Sequence, residues 1–337
     1  MRTVTRICTV LLAAIALLAA CGPQKVEEPP DEVTVQLKWV HQAQFAGHYV
    51  AQERGYYAEE NIDVTLNPGG PDIIPEQMVA DLVSGEADFA IVGGDQLLVL
   101  RSRGEPIVAI AVVFQKNPYV YVSLKSSGIE RPQDLVGKTV MMPPDAEFQH
   151  QALLNKLGIA PTAIKVIPFQ RDVTPLLTGQ VDAHTVYRTG LGLAFEETGY
   201  ELNWIWMEDY GIQLYADTIV TSDALVQQNP ELVERFLRAT LRGWRYAIEN
   251  PDEVVELTLQ YDPALTRDRQ ARMMAAQTPL IHSGEADIGW MRAEVWRRMH
   301  DILVEQGILE APVDLEKAYT MEFLHTVYSA DAVYGGE

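Results

Sequence analysis

Cysteine is nearly absent: among 337 residues only Cys8 and Cys21 carry a thiol. Everything after Cys21 is therefore without a disulfide, a thiol nucleophile or a cysteine-based zinc or iron–sulfur site. Basic residues are scarce beside acidic ones, 26 against 47, for a net charge of −21 with His neutral. Nucleic acid is excluded as a partner, because binding its phosphates takes clustered Lys and Arg. The acidity reads instead as a solubility feature. Beyond the first 20 residues no apolar segment is long enough to cross a bilayer. Several enzyme motifs are missing as well. There is no Gly-x-Ser-x-Gly elbow, no His-Glu-x-x-His helix, no P-loop and no Gly-x-Gly-x-x-Gly; Gly190-Leu191-Gly192 lacks its third glycine. Seven His and many carboxylates still leave open a triad assembled by folding, since triads need no proximity in sequence.

What is present begins at the amino terminus. Arg2 and Arg6, the apolar run from Ile7 through Ala20 and a small-residue end form the three parts of a secretory signal over residues 1–20. Leu18-Ala19-Ala20-Cys21 resembles the lipobox of bacterial lipoproteins, which implies a lipid on the Cys21 thiol and a place on the extracytoplasmic face of the cell membrane. An ordinary cleaved signal with a Cys at its cleavage site is the other reading. Residues 21–32, rich in Pro, Glu and Gln, read as a flexible tether. With Arg2 and Arg6 removed in the leader, 24 of the 26 basic residues remain against 47 acidic ones, a net charge near −23.

The rest of the chain alternates strands and helices. Val33–Leu37 and Asp63–Leu66 read as strands with a helix over Gly47–Glu53 between them. Pro75–Ser84 reads as a helix and Asp88–Val92 as a buried strand. A second group has strands at Lys138–Met142, Lys165–Pro168 and Val181–Val186. This is the βαβ rhythm of an α/β protein with mostly parallel sheets. Farther on, Asn229-Pro230 opens a helix whose apolar positions Val233, Phe236, Leu237, Leu241, Trp244 and Ile248 follow the 3.6-residue period. Met291–Val304 and Leu315–Val327 repeat that character.

Leu82-Val83-Ser84-Gly85-Glu86-Ala87-Asp88 is echoed by Leu176-Leu177-Thr178-Gly179-Gln180-Val181-Asp182. Each is a helix end, a turn glycine and the approach to a strand, so two lobes built alike are expected. Gly93-Gly94-Asp95 and Tyr187-Arg188-Thr189 then stand just past equivalent strands, where open parallel sheets bind ligands, and are expected on opposite walls of one cleft.

Leu37-Lys38-Trp39-Val40-His41-Gln42-Ala43-Gln44-Phe45-Ala46-Gly47-His48-Tyr49-Val50-Ala51, then Gly55-Tyr56-Tyr57 and Gly85-Glu86-Ala87-Asp88-Phe89-Ala90, resemble the thiamine-precursor and nitrate/sulfonate/taurine-like branch of periplasmic binding proteins. The resemblance implies a type II, two-lobed α/β fold with a mixed, mostly parallel sheet in each lobe and a two-strand hinge. Lobe 1 is expected over 33–121 and 218–337, lobe 2 over 122–217, with the crossings near Tyr119–Leu124 and Ala216–Thr221. It also implies a monomer that closes on a small molecule and hands it to an ABC permease driven by an ATPase, without cofactor, metal or catalytic residue.

Ligand candidates follow from residue chemistry. Trp39 and Phe45 can stack on a planar ring, and Gln42 and Gln44 can pair donor and acceptor with the edge of a nitrogen heterocycle. His48 and Tyr49 sit at a helix start, where an outward His is ordinarily solvated. Asp95 serves either as an N-cap or as a ligand contact. Gln115 follows the apolar run Ile107–Val113 and reaches the same rim. In the second lobe Tyr187 and Arg188 lead, with Tyr119, Asp209 and Tyr210 behind them, although Arg188 has a neighbouring carboxylate as an alternative partner. Trp204 and Trp206 read as core.

Members of the thiamine-pyrimidine branch carry Trp-x-Pro-Asn-x-x-His-x-Gly, whereas this chain has His41, Gln42 and Phe45 in place of that Pro, Asn and His. The Gln-rich, Phe-containing version resembles riboflavin-binding members. Riboflavin is the expected ligand, a thiamine pyrimidine precursor the next, and a sulfonate or other small anion the third. An enzyme like the eukaryotic thiamine-pyrimidine synthase, which uses a His and a Cys-rich iron motif, and a sensory module are the readings from other classes.

Overall fold

The structure is a computed structural model that describes residues 29–282, 284 and 286–329. The expected signal segment, Cys21 and most of the tether lie outside the described residues. No helix among the described residues is long and apolar enough to cross a membrane.

Among the described residues ten strands form two five-stranded sheets. The first contains β1 (Asp31–Gln36), β2 (Ile62–Asn67), β3 (Phe89–Val92), β4 (Ile107–Val112) and β10 (Thr218–Ser222) in the order β2-β1-β3-β10-β4. The second contains β5 (Tyr119–Leu124), β6 (Thr139–Met142), β7 (Lys165–Pro168), β8 (Ala183–Tyr187) and β9 (Leu202–Trp206) in the order β7-β6-β8-β5-β9. β10 runs antiparallel to both β3 and β4, and β5 antiparallel to both β8 and β9, while β1–β3, β6–β7 and β6–β8 are parallel. Each sheet is thus a βαβαβ unit with one reversed strand let in beside it. Most expected elements are placed within two residues of their ends, and Pro75–Ser84 and Lys165–Pro168 coincide.

The sequence echo has a physical counterpart. The Asp88 carboxylate accepts the Thr34 N–H at 2.8 Å while the Asp88 N–H donates to Thr34 O at 2.9 Å. In the second sheet Asp182 makes the same pair of bonds with Thr139, at 2.8 Å each. Gly85 and Gly179 precede them with φ of 84° and 75°, a left-handed turn that suits glycine.

The strands expected at the crossings are β5 and β10, the antiparallel members of their sheets. The chain changes sheet just before each of them, over 113–118 and 207–217, and these two segments bond to one another through Val113 N–H to Asp217 O at 2.8 Å and Ala216 N–H to Phe114 O at 3.2 Å. A division at 121/122 would therefore fall inside β5. The helix expected over Leu315–Val327 is instead two, Leu315–Ala318 and Glu322–Ser329. The Thr320 N–H is taken by Ala109 O of β4 at 3.0 Å, which draws the chain into an edge contact and interrupts the turn-to-turn ladder.

Behind the first sheet lies the helix Pro230–Glu249, whose apolar stripe is buried as its period requires. Phe236 stacks on Phe89 at 3.8 Å between ring centroids. Its crossing with the helix Ala46–Glu53 is glycine to glycine: a Cβ on Gly243 would stand 2.1 Å from Gly47 O, and one on Gly47 2.2 Å from the Trp244 ring. His48, expected outward, is buried here, hydrogen-bonded to the Tyr57 hydroxyl at 3.1 Å and stacked beside Phe236. Burial holds its ring neutral, with a pKa pushed down to about 4.

Candidate functional site

The carboxyl edges of β1, β6 and β8 and the starts of β5 and β10 converge at one place between the sheets. Lys38 leaves the end of β1 there. The Gln36 amide donates to Leu37 O at 3.0 Å and Asn67 O at 3.3 Å. Gly69 lets the chain after β2 pass so close that a Cβ would stand 2.3 Å from Leu37 O. Lys38 is thereby aimed across the gap.

Its ammonium group lies 3.0 Å from Asp145 Oδ2, beyond the end of β6, and 3.7 Å from Asp217 Oδ1, just before β10. It donates to the Tyr187 hydroxyl at 3.0 Å, and that hydroxyl donates to Asp217 Oδ1 at 3.0 Å. Tyr119 donates to Asp145 Oδ1, and the Gln96 amide to Asp145 O at 2.8 Å. On the other side Gln44 donates to Asp217 Oδ2 and Gln42 to Gln44 Oε1, each at 2.7 Å. Burial opposes the Lys38 charge, but the neighbouring Tyr187, Asp145 and Asp217 outweigh it and hold the pKa well above the ordinary lysine value. Burial also pushes Asp217 upward, against the pull of Lys38.

Asp95 adds a third carboxyl close enough to feel Lys38, although it does not line the cavity described next. It occupies the second position of the helix Gly94–Ser102, whose N-cap is Gly93 with Gln96 folding back to the Gly93 N–H at 2.8 Å. Capping by Asp95 is thus corrected: Gly93 takes that place because a Cβ there would stand 2.4 Å from the Asp95 carboxylate. Asp95 Oδ2 is buried without a hydrogen-bond partner among the described residues. Burial pushes its pKa up to about 7, against the pull of Lys38.

Around this network lies a half-open cavity of about 380 Å³, counting the open solvent at its mouth, lined from one side by Lys38, Trp39, Gln42 and Gln44 and from the other by Tyr119, Asp145, Phe169 and Tyr187. Trp39 meets Phe169 edge to face at 5.4 Å. The loop carrying the two Gln is clamped at Ala43, whose N–H donates to Gln270 Oε1 at 2.8 Å and whose O accepts from Gln277 at 2.7 Å.

Of the residues singled out in the sequence, Trp39, Gln42, Gln44, Tyr119 and Tyr187 meet in this cavity. Phe45 and Tyr49 do not line it. Both are buried in the core beneath the loop, where the Tyr49 hydroxyl accepts the Gln42 N–H at 3.2 Å and the ring stacks on Tyr261 at 4.0 Å. Gln115 faces a different cavity, its amide donating to Val112 O at 2.8 Å and Trp290 O at 3.0 Å. Arg188 takes the alternative fate, paired with Glu196 and 4.2 Å from the Trp204 ring centre. Tyr210 and Asp209 lie in a short 3-10 turn, Glu208–Tyr210, outside the cavity. Trp204 and Trp206 are half-buried beside a smaller apolar cluster of the second sheet.

Lys38, Asp145, Phe169 and Asp217 were not singled out. Lys38 stands inside the quoted Leu37–Ala51 run, but no spacing or motif there marks it out from its neighbours. The rule that ligand sites lie at strand ends would have found Asp145 and Phe169, which follow β6 and β7. Asp217 has no local signal, since only the return of the chain from the second sheet brings it to Lys38.

A family model described as NMT1/THI5 like matches residues 42–254. The chain is 28% identical to the riboflavin-binding protein RibY of Chloroflexus aurantiacus over 345 residues, covering 95% of this chain and 97% of the relative. It is 26% identical to the formylaminopyrimidine-binding protein of Halalkalibacterium halodurans, covering 92% and 96%. Among solved structures, the alkanesulfonate-binding protein SsuA from Xanthomonas axonopodis pv. citri, bound to MOPS, superposes with a TM-score of 0.67 at 16% identity, covering 87% of this chain and 99% of that one. That likeness shows a shared fold.

Proposed function

The chain belongs to the NMT1/THI5-like family, and on that premise we propose that it is the solute-binding component of an ABC importer, capturing riboflavin between its two sheets and delivering it to a permease coupled to an ATPase. The observation that carries the reading is the cleft: Lys38 and Asp145 from opposite sheets meet inside it, so a small molecule seated beside them touches both sides at once. It works as a monomer, held at the extracytoplasmic face of the cell membrane through Cys21.

The similarity to RibY over nearly the whole of both chains supports riboflavin. So do the ring faces of Trp39, Phe169, Tyr119 and Tyr187, which offer stacking and edge contacts to a wide planar system. The charge inside the cleft points the same way. Lys38, the one cation among the described residues that line the cavity, is already balanced by Asp145 beside it and by the buried Asp217 behind it. Such a site suits an uncharged ligand and disfavours an anion, since the Lys38 charge is already spoken for. The sulfonate reading loses its residue as well, because Arg188 is engaged with Glu196 away from the cavity. A formylaminopyrimidine is the second reading, favoured by the other relative and by the same uncharged, ring-lined cavity.

Catalysis of the pyrimidine-synthase kind has little to build on here. None of the cavity-lining residues is a His or a Cys. His48, His150 and His184 are buried elsewhere, each held neutral by burial with a pKa pushed down to about 4.

Titration of the full chain with riboflavin tests the proposal. Saturable quenching of flavin emission supports it. Silence with riboflavin and heat release with a formylated aminopyrimidine moves the ligand to the second reading. Silence with both and with a sulfonate sinks the ligand assignments together.

A further inference from the structure

The Trp39–Phe169 pair is a partition rather than an end wall. Beyond it lies a second, half-open cavity of about 680 Å³, counting the open solvent at its mouth, that shares Trp39, Gln42, Phe169, Gly190 and Leu191 with the first. Its outer wall is polar and carries a different charge balance. Arg171, three residues past the end of β7, and Arg269, on the helix Arg267–Ile281, face a single carboxylate, Asp262. Arg171 has no ion-pair or hydrogen-bond partner among the described residues. Arg269 donates from Nη2 to Glu197 at 2.6 Å but leaves its buried Nε without a partner. Asp262 is already turned to its own loop, accepting the Ala264 N–H at 2.8 Å.

Resting on the riboflavin reading above, we propose that this outer cavity is a second compartment of the same site, and that it holds the oxygen-rich tail of a ligand whose ring occupies the inner compartment. The two compartments have complementary demands. The inner one, where Lys38 is balanced by Asp145 and the walls are the rings of Trp39, Tyr119, Phe169 and Tyr187, suits an uncharged planar ring; the outer one, with guanidinium donors in excess over Asp262, seeks acceptor oxygens. A planar ring with a polyhydroxylated or phosphorylated chain satisfies both, and a bare pyrimidine reaches only the first. The tail also bridges the halves of the molecule, since Arg171 follows a strand of the second sheet and Arg269 lies on the helix that clamps Ala43 beside the first.

The test compares lumiflavin, riboflavin and riboflavin 5′-phosphate on the full chain, with and without Arg171→Ala. Arg171 is exposed and unpartnered, so the variant folds as the parent does. The expected result is that riboflavin binds about tenfold or more tightly than lumiflavin, the size of one or two hydrogen bonds to a charged donor. Arg171→Ala should remove most of that advantage and leave lumiflavin within about twofold of its parent value. A phosphate preference shows as tighter binding of riboflavin 5′-phosphate that weakens with salt; a hydroxyl preference shows as no gain from the phosphate. Equal affinity for lumiflavin and riboflavin overturns the compartment while leaving the flavin reading intact. No binding of any of the three overturns both.

Discussion

Lys38 and Asp145 belong to different sheets, yet Nζ and Oδ2 lie 3.0 Å apart with side chains only 5% and 13% exposed. They stand just past β1 and β6, the equivalent first strands of two units built alike. A buried ion pair of this kind adds little to net stability, because desolvation offsets the Coulomb gain, but it strongly favours the one arrangement in which both charges are satisfied. Here that arrangement is the approach of the two sheets, and Tyr119, Tyr187 and Gln96 hold its geometry.

Asp145→Asn keeps the shape and the acceptor for Tyr119 but removes the charge facing Lys38. Asp217 still neutralises Lys38, so the loss is about 1–3 kcal/mol rather than the larger cost of an abandoned buried charge. It should appear as a lower urea midpoint and as a more extended solution scattering profile. A variant that matches the parent in both would show that the pair does not hold the sheets together.

Trp39→Ala removes one aromatic face of the inner cavity and opens the partition to the outer one. Loss of a stacked ring costs about 1–3 kcal/mol, or about 5- to 150-fold in the dissociation constant. Trp39 is only partly buried, so thermal unfolding should shift far less than binding. Flavin titration and a melting curve on the same sample separate the two, and a loss of stability without loss of affinity would return Trp39 to the core.

The strand order and the two-sheet plan were legible because the 2-residue and 3.6-residue periods and the Gly85/Gly179 echo are local signals. Trp39, Gln42 and Gln44 were legible as residues that suit heterocycles just beyond a strand. Phe45 and Tyr49 carry the same chemistry within five residues of Gln44, yet both are buried in the core beneath the loop that Gln270 and Gln277 clamp at Ala43, a placement no local pattern signals. Asp217 and Arg188 show the same limit from opposite sides. The partner of Asp217 is remote in sequence, at 38, and that of Arg188 is near, at 196. Residue type and spacing favoured the wrong one of the two for the cleft.

The buried Asp95 sets a pH dependence that its variant should erase. Its folded pKa, about 7, lies above the unfolded value of about 3.9, so the folded chain holds the proton more tightly. Its stabilising contribution is therefore full below about pH 4, falls as pH rises, and is gone above about pH 7. Asp95→Asn mimics the protonated form at every pH. The variant should unfold at nearly the parent's urea concentration at pH 4 and be more stable than the parent at pH 8, by a few kcal/mol in order of magnitude. His48, His150 and His184, whose pKa values are pushed down, lose stability in the opposite sense as pH falls from about 6.5 toward 4, and they do so in both proteins. Only the difference between parent and variant reports Asp95; a pH-independent difference would place its carboxyl in a solvated setting.

At the mouth of the cleft the sheets are joined a second time, by exposed charges. Arg272 donates to Glu196 at 2.8 Å and Glu197 at 2.9 Å, Arg269 donates to Glu197 at 2.6 Å, and Arg188 pairs with Glu196. Glu196 and Glu197 end the helix Leu191–Glu197 beside the second sheet, while Arg269 and Arg272 lie on the helix Arg267–Ile281 beside the first. Single exposed pairs contribute about 0–1 kcal/mol, and they are screened as the Debye length falls from about 30 Å at 0.01 M to about 3 Å at 1 M salt. The clasp should therefore slow ligand release at low salt, with release rising by about two- to fivefold over that range. The net charge of −21 acts in the other direction, since screening its self-repulsion favours the compact form. Glu196→Gln/Glu197→Gln separates the two effects, because it breaks the clasp while removing only two of 47 acidic residues. Stopped-flow release rates of the double variant should lose the upward salt slope and leave a flat or inverted one. An unchanged upward slope would mean that the salt-sensitive contact lies elsewhere on the closing surfaces.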